Sequence, residues 1–335
     1  MNSHIEAFKE NIIKKYSKDI NNIYMIQDYL LLDNLEECNK IISEIFNNEE
    51  EEKIQTQSNG SFSILINNKL LLIAKKDELI NIIKPIYKFL LIISKNIDSE
   101  KDFIIAEIKE LLSLINIVLL FNDNISFYAL KKKILLLSLN YKKNHETNNN
   151  NNYNLNEILL SEYYFTCTTN KKCRKSAISW DYKYFLFHNF KEYIFIKEEN
   201  NNDYEYIYNL LKNEINLIGI KKDLLFKDLF IIKDIEVMNE INIIQSRNFH
   251  MWTYLRKIFN EGNKEEKILI ILFAFLTLKK CSFDYSAFTF IVNSRNNMPL
   301  NKGEIELLIK EIKKASFIIY DDHKYYIDDL EKIFD

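Results

Sequence analysis

The chain has 335 residues, 45 Lys and Arg against 48 Asp and Glu, and a formal net charge of −3, so it lacks the basic excess of a nucleic-acid binder. Only 4 glycines and 2 prolines are present, too few for the tight turns of a sheet protein. Length and composition therefore predict an all-α chain of long helices joined by polar links, with Asn at the left-handed positions.

In chain order, the opening "MNSHIEAFKENIIKKY" alternates charged and apolar residues and is no signal peptide. Residues 1–98 are expected to form an N-terminal segment, interrupted by the acidic run "NEEEEK" (Asn48 to Lys53), which cannot offset its ordering cost by burial. Within it, "SFSILINNKLLLIA" supports two readings equally: a hairpin turning at Asn67-Asn68, or an irregular entry followed by helix. Residues 99–335 are expected to be helical throughout. "FIIAEIKELLSLINIVLLF" places Ile104, Ile108, Leu111, Ile115 and Leu119 on one helical face, with Ser99 as candidate N-cap and Asp102 three residues on. Asn-rich insertions are expected near 144–156 and 197–203. "ILIILFAFLTL" (Ile268 to Leu278) is too short to span a bilayer and predicts a buried core helix. "GEIELLIKEIKKA" puts Ile305, Leu308, Ile309 and Ile312 on one face.

One short pattern recurs. "SRNFHMWTYLRK" carries Asn248, Phe249, His250, Trp252 and Arg256; "KSAISWDYK" carries Lys175, Trp180 and Lys183; "NISFYALK" carries Asn124, Tyr128 and Lys131; "DYSAFTFIV" carries Phe288 without the cation. A polar residue that can cap a helix comes first, an aromatic follows one turn in, and a basic residue lies on the same face, able to cover a ring or pair with a carboxylate. The spacings are unequal, and insertions in the intervening loops account for that, because closure entropy grows slowly with length. The predicted architecture is an array of helical hairpins with Tyr128, Trp180, Trp252 and Phe288 buried between layers.

These residues resemble the repeat of the protein prenyltransferase α-subunit family, Asn-Tyr-x-x-Trp-x-x-Arg. "NFHMW" is the best copy, with Phe249 for Tyr and with Leu255, not Arg256, three residues after Trp252; in "SAISWDYK", Ser176, Ala177 and Lys183 replace Asn, Tyr and Arg. "SFSILINNKLLLI", "LLSLINIVLLFNDNISFYALKKKILLL" and "RKSAISW" are most similar to the divergent α-subunit-repeat-containing branch. The resemblance covers roughly Ile104 to Val292.

It implies a right-handed superhelical array of antiparallel helical hairpins, like that of tetratricopeptide repeats. It further implies a cytoplasmic heterodimer with a separate prenyltransferase β subunit, of the Rab geranylgeranyltransferase type. That partner would carry the catalytic zinc, and this chain would hold no metal and be inactive alone. The ligands implied are an isoprenoid diphosphate and proteins with a C-terminal Cys, geranylgeranylated rather than farnesylated. The diphosphate-facing positions carried over are Lys175, Asn248, Phe249 and His250; Tyr128, Lys131, Trp180, Lys183, Trp252, Arg256 and Phe288 are structural. Lys175 lies five residues before Trp180 and His250 two before Trp252, so both fall at or just ahead of a helix start, where unpaired N–H groups favour an anion.

Independent catalysis has little support. No Gly-rich phosphate loop, HExxH or GxSxG is present, and "DDH" (Asp321 to His323) is an isolated cluster. Cys38, Cys167, Cys173 and Cys281 form no CxxC pair or zinc spacing, which points to a reducing compartment. The competing reading is a degenerate helical scaffold that binds proteins without prenyl chemistry.

Overall fold

A computed structural model of the chain describes residues 26–32, 54–56, 62–66, 69–97, 108–121, 123–144, 155–194, 202–221, 229–244, 247–316 and 324–334, with Ser99, Lys101 and Ile104 between, and side chains from Ile83 onward. "NEEEEK", the run Asn148 to Asn152, "DDH" and Cys38 lie outside the described residues. The chain divides into two compact units, Met1–Thr168 and Thr169–Asp335.

Every long regular element from Lys76 onward is an α-helix, so the all-α expectation holds for the body of the chain. Ahead of it come four short strands, β1 (Ile26–Leu32), β2 (Ile54–Thr56), β3 (Phe62–Ile66) and β4 (Lys69–Lys75), in the order β1-β4-β3-β2. The hairpin reading of "SFSILINNKLLLIA" is the one adopted: β3 and β4 run antiparallel, with Phe62 opposite Ile73 and Ile66 opposite Lys69. The parallel pairing of β1 with β4 has no local sequence signal, because its partners are far apart in the chain.

The first unit continues with α1 (Lys76–Lys95), α2 (Ile108–Phe121) and α3 (Ile125–Asn144); α4 (Leu155–Lys172) crosses into the second. The stripe Ile104, Ile108, Leu111, Ile115, Leu119 is buried as its spacing requires. Ser99 donates its hydroxyl to the Asn96 carbonyl; Asp102, three residues on, lies outside the described residues.

The second unit holds α5 (Ala177–Phe190), α6 (Asn202–Ile218), α7 (Leu229–Ile244), α8 (Phe249–Glu261), α9 (Lys264–Lys280), α10 (Tyr285–Ser294), α11 (Lys302–Ser316) and α12 (Lys324–Phe334). α5 packs on α8 and α8 on α10; α7 packs on α9; α6 packs on α7, α9 and α11. Enclosed in this way, α9 buries every residue from Ile268 to Leu278. That is the environment an all-round apolar helix needs. A capping box between Asn263 and Glu266 starts it, and Glu266, itself buried, pairs with Lys191. α6 ends at Gly219, whose φ of 71° is the left-handed conformation that favours glycine. α11 buries Ile305, Leu308, Ile309 and Ile312, as its pattern predicts.

Candidate functional site

Four helices begin alike. Asn124, Ser176, Asn248 and Asp284 stand one residue ahead of α3, α5, α8 and α10, and each accepts first-turn N–H groups on its side chain: Ser126 at 2.8 Å, Ser179 at 3.0 Å, Met251 at 3.1 Å, and Ser286 and Ala287 at 3.0 Å. The aromatic four residues on closes the first helical turn, its N–H reaching the cap carbonyl: Tyr128, Trp180, Trp252 and Phe288. Tyr128, Trp180 and Trp252 are buried as expected.

Phe288 is not. It is half-exposed and stacks on Tyr285, while Phe290, two residues further, is fully buried between Trp252 and Phe259. The ring sixth from the cap is the one that meets the preceding helix. Trp180 packs on Tyr254 with centroids 5.4 Å apart, and Trp252 on Phe290 at 5.3 Å. Tyr254 and Phe290 each stand six after their caps, so the contact steps regularly from α5 to α8 to α10.

The cations seven after the cap are buried and paired. Lys131 bridges Glu162 at 2.5 Å, donates to Asn116 and covers the Phe165 ring at 4.0 Å. Burial pushes its ammonium down to about 8, against the pull of Glu162. Lys183 bridges Asp234 at 2.8 Å, and Tyr254 donates its hydroxyl to the same carboxylate. Glu162 and Asp234 each lie fourteen residues ahead of the next cap, Ser176 and Asn248. In the third instance both partners change together. Leu255 stands seven after Asn248, Ile270 stands fourteen ahead of Asp284, and both are buried and apolar. Arg256 does not substitute: it is half-exposed and its Nε is buried without a hydrogen bond.

The caps also tie one helix start to the next. The Arg174 carbonyl accepts from Trp180 Nε1 at 3.0 Å and from Asn248 Nδ2 at 2.8 Å. The Arg247 N–H donates to Asp284 Oδ2 at 2.9 Å. Lys175, exposed, directly follows Arg174; His250, half-buried, is two residues beyond Asn248. The starts of α5 and α8 are therefore joined by one hydrogen bond. Phe249 is 64% exposed, with the His250 ring edge-on to it at 5.5 Å.

Arg247 escaped the sequence reading. Its signal is position, since it precedes its cap as Lys175 precedes Ser176. It adopts φ 62°, uncommon for a non-glycine residue, and its guanidinium lies over the Phe283 ring at 5.0 Å. Lys172, Arg174, Lys175 and Arg247 make this end locally basic in a chain of net charge −3, while Lys171 is paired with Glu240 at 2.5 Å. The arrangement can hold an anion: cations beside two helix starts, with charge-assisted hydrogen bonds available to an oxyanion.

A second polar cluster straps α5 to α8. Tyr184 donates its hydroxyl to Glu261, His188 bonds the same carboxylate at 2.9 Å, and Lys257 pairs with Asp181 at 3.1 Å. Burial raises the Glu261 carboxyl, but the bonds from Tyr184 and His188 outweigh it and hold it below the usual range. Burial and the neighbouring carboxylate push Tyr184 up to about 12, so its phenol stays protonated and serves as a donor.

Among the described residues no three His, Cys, Asp or Glu side chains gather as a metal site, and no helix is long and apolar enough to cross a membrane. Cys167, Cys173 and Cys281 are not joined in disulfides. No family model, curated protein or solved structure matches the chain.

Proposed function

We propose that this chain is the α subunit of a protein prenyltransferase, the partner without zinc. It completes the isoprenoid diphosphate and protein-substrate site of a catalytic β subunit for Cys prenylation, geranylgeranylation in preference to farnesylation. The observation that carries the reading is the common register of α3, α5, α8 and α10: a capping side chain, a ring four residues on, and a cation seven on in the first two. That is the spacing of Asn-Tyr-x-x-Trp-x-x-Arg. In this reading α2–α3, α4–α5, α7–α8 and α9–α10 are successive antiparallel hairpins of a right-handed superhelical array. In the same reading Lys175 and His250 face the diphosphate, supported by the hydrogen bond from Asn248 to the Arg174 carbonyl that ties the starts of their helices together. Zinc sits on the β subunit, of the Rab geranylgeranyltransferase type.

A scaffold without prenyl chemistry draws support from one feature: Leu255 and Ile291 stand where the motif has its cation. Co-expression with a Rab-type β subunit separates the two readings. The α-subunit reading expects a stoichiometric complex that contains zinc and transfers labelled geranylgeranyl from its diphosphate to a protein ending in Cys. Failure to co-purify, or a complex without transfer, supports the scaffold.

A further inference from the structure

The ends of α7 and α9 and the start of α10 enclose a cavity of about 340 Å³, at the small end of ligand pockets, which run from roughly 300 to 1,000 Å³. Its apolar wall is Ile243, Ile244 and Leu276. Ile243 is 73% and Ile244 64% exposed, the largest exposures among the described large aliphatic side chains of the second unit, and they are neighbours in the wall.

The polar wall is cationic. Lys280 donates to Asn239 Oδ1 at 3.3 Å, and among the described residues no carboxylate closes an ion pair with it. Its neighbour Lys279, in contrast, holds Glu214 at 3.0 Å. Burial lowers the Lys280 ammonium below its ordinary value, against the more distant pull of Glu214. Asp284, the one acid in the wall, is occupied on both oxygens: Ser286 and Ala287 N–H on Oδ1, Arg247 N–H on Oδ2. Asn242 adds a further cue. The Thr277 hydroxyl donates to the Phe273 carbonyl, so its oxygen accepts from Asn242 Nδ2, which leaves Asn242 Oδ1 buried without a donor. A buried acceptor of this kind is completed by a donor hydrogen, from water or from the OH of a monoanionic phosphate head, and a carboxylate has none to offer.

The geometry points to a binding site for a small amphiphile whose head is an oxyanion: the head on Lys280, the apolar body on Ile243, Ile244 and Leu276. A phosphate monoester and a carboxylate, including a peptide C-terminus, share this chemistry. The inference is separate from the reading of Lys175 and His250, which lie outside the cavity wall, and stands or falls independently of it.

Cys281, half-exposed in the same wall and not in a disulfide, reports occupancy. The full chain is alkylated with iodoacetamide at pH 7, and each cysteine is followed by mass spectrometry, with glutathione added to the same tube as internal reference. Octyl phosphate is expected to slow modification of Cys281 several-fold and leave that of glutathione unchanged. Octanoate and a free-acid apolar tripeptide are run beside it, and their relative protection identifies the preferred head. Lys280→Met should raise the octyl phosphate concentration needed by about tenfold, the loss of one charge-assisted hydrogen bond, and Lys280→Arg should restore most of it. Cys281 left unprotected by all three anions, equal protection by octyltrimethylammonium, or undiminished protection in folded Lys280→Met would overturn the assignment.

Discussion

Lys183 of α5 and Asp234 of α7 meet at 2.8 Å with neither side chain exposed to solvent. Two buried charges are costly to desolvate, so a pair of this kind adds little net stability, yet loss of one partner leaves the other uncompensated. Lys183→Met should therefore destabilise the chain by about 3–5 kcal/mol, measured by urea unfolding. The double variant Lys183→Met, Asp234→Leu should recover most of that loss. The chain already carries an apolar version at the equivalent offsets, Leu255 and Ile270, both buried. No recovery in the double variant would mean that Asp234 is required for another reason, its hydrogen bond from Tyr254 being the first to examine.

The rings of α8 and α10 differ in their expected contributions. Trp252 is buried and stacks on Phe273 at 5.9 Å as well as on Phe290. Trp252→Ala and Phe290→Ala should each cost about 3–5 kcal/mol, the range for large buried aromatics. Phe288→Ala should cost clearly less, because its ring is half-exposed. Thermal unfolding of the three variants checks the order, and a Phe288 variant as unstable as the Phe290 variant would contradict the register.

What local sequence could reveal follows from distance along the chain. Caps and the aromatic one turn in mark the starts of α3, α5 and α8, and in α3 and α5 the cation seven on also lies within two helical turns. The acids that answer the cations are remote: Glu162 sits in α4 and Asp234 in α7, each in another helix from its partner. In "DYSAFTFIV" two rings compete, Phe288 and Phe290, and only the facing helix decides between them. Arg247 was missed because its conformation is fixed by Asp284, far downstream. The cavity beside Lys280 had no motif, since three separate elements assemble it.

Lys131 gives the chain a definite pH signature. Its folded-state pKa, about 8, lies below the ordinary 10.5, so between those values the unfolded chain binds more protons than the folded one. Stability from this group therefore rises with pH across that window and is flat below it. Measured against Lys131→Met, the urea midpoint of the wild type should gain between pH 7.5 and pH 10. A relative loss over the same range would reverse the sign and show that the pull of Glu162 outweighs burial.

Lys175 and His250 carry the prediction closest to function. One is exposed and the other half-buried, and the bonds that cap their helices belong to Ser176 and Asn248. Substitution should thus leave folding intact, with an unchanged thermal midpoint as the control. In a reconstituted complex with the β subunit, each charge-assisted hydrogen bond to a diphosphate is worth roughly 1.5–3 kcal/mol. Lys175→Ala should then weaken isoprenoid diphosphate binding by about tenfold to a hundredfold, and the double variant Lys175→Ala, His250→Ala by more. Arg247→Ala supplies the comparison: its N–H bond to Asp284 survives the change, so any loss reports its guanidinium alone. If the double variant binds diphosphate and transfers prenyl groups at the wild-type rate, the basic end of α5 and α8 does not face the reaction, and the chain contributes to the complex only as a scaffold.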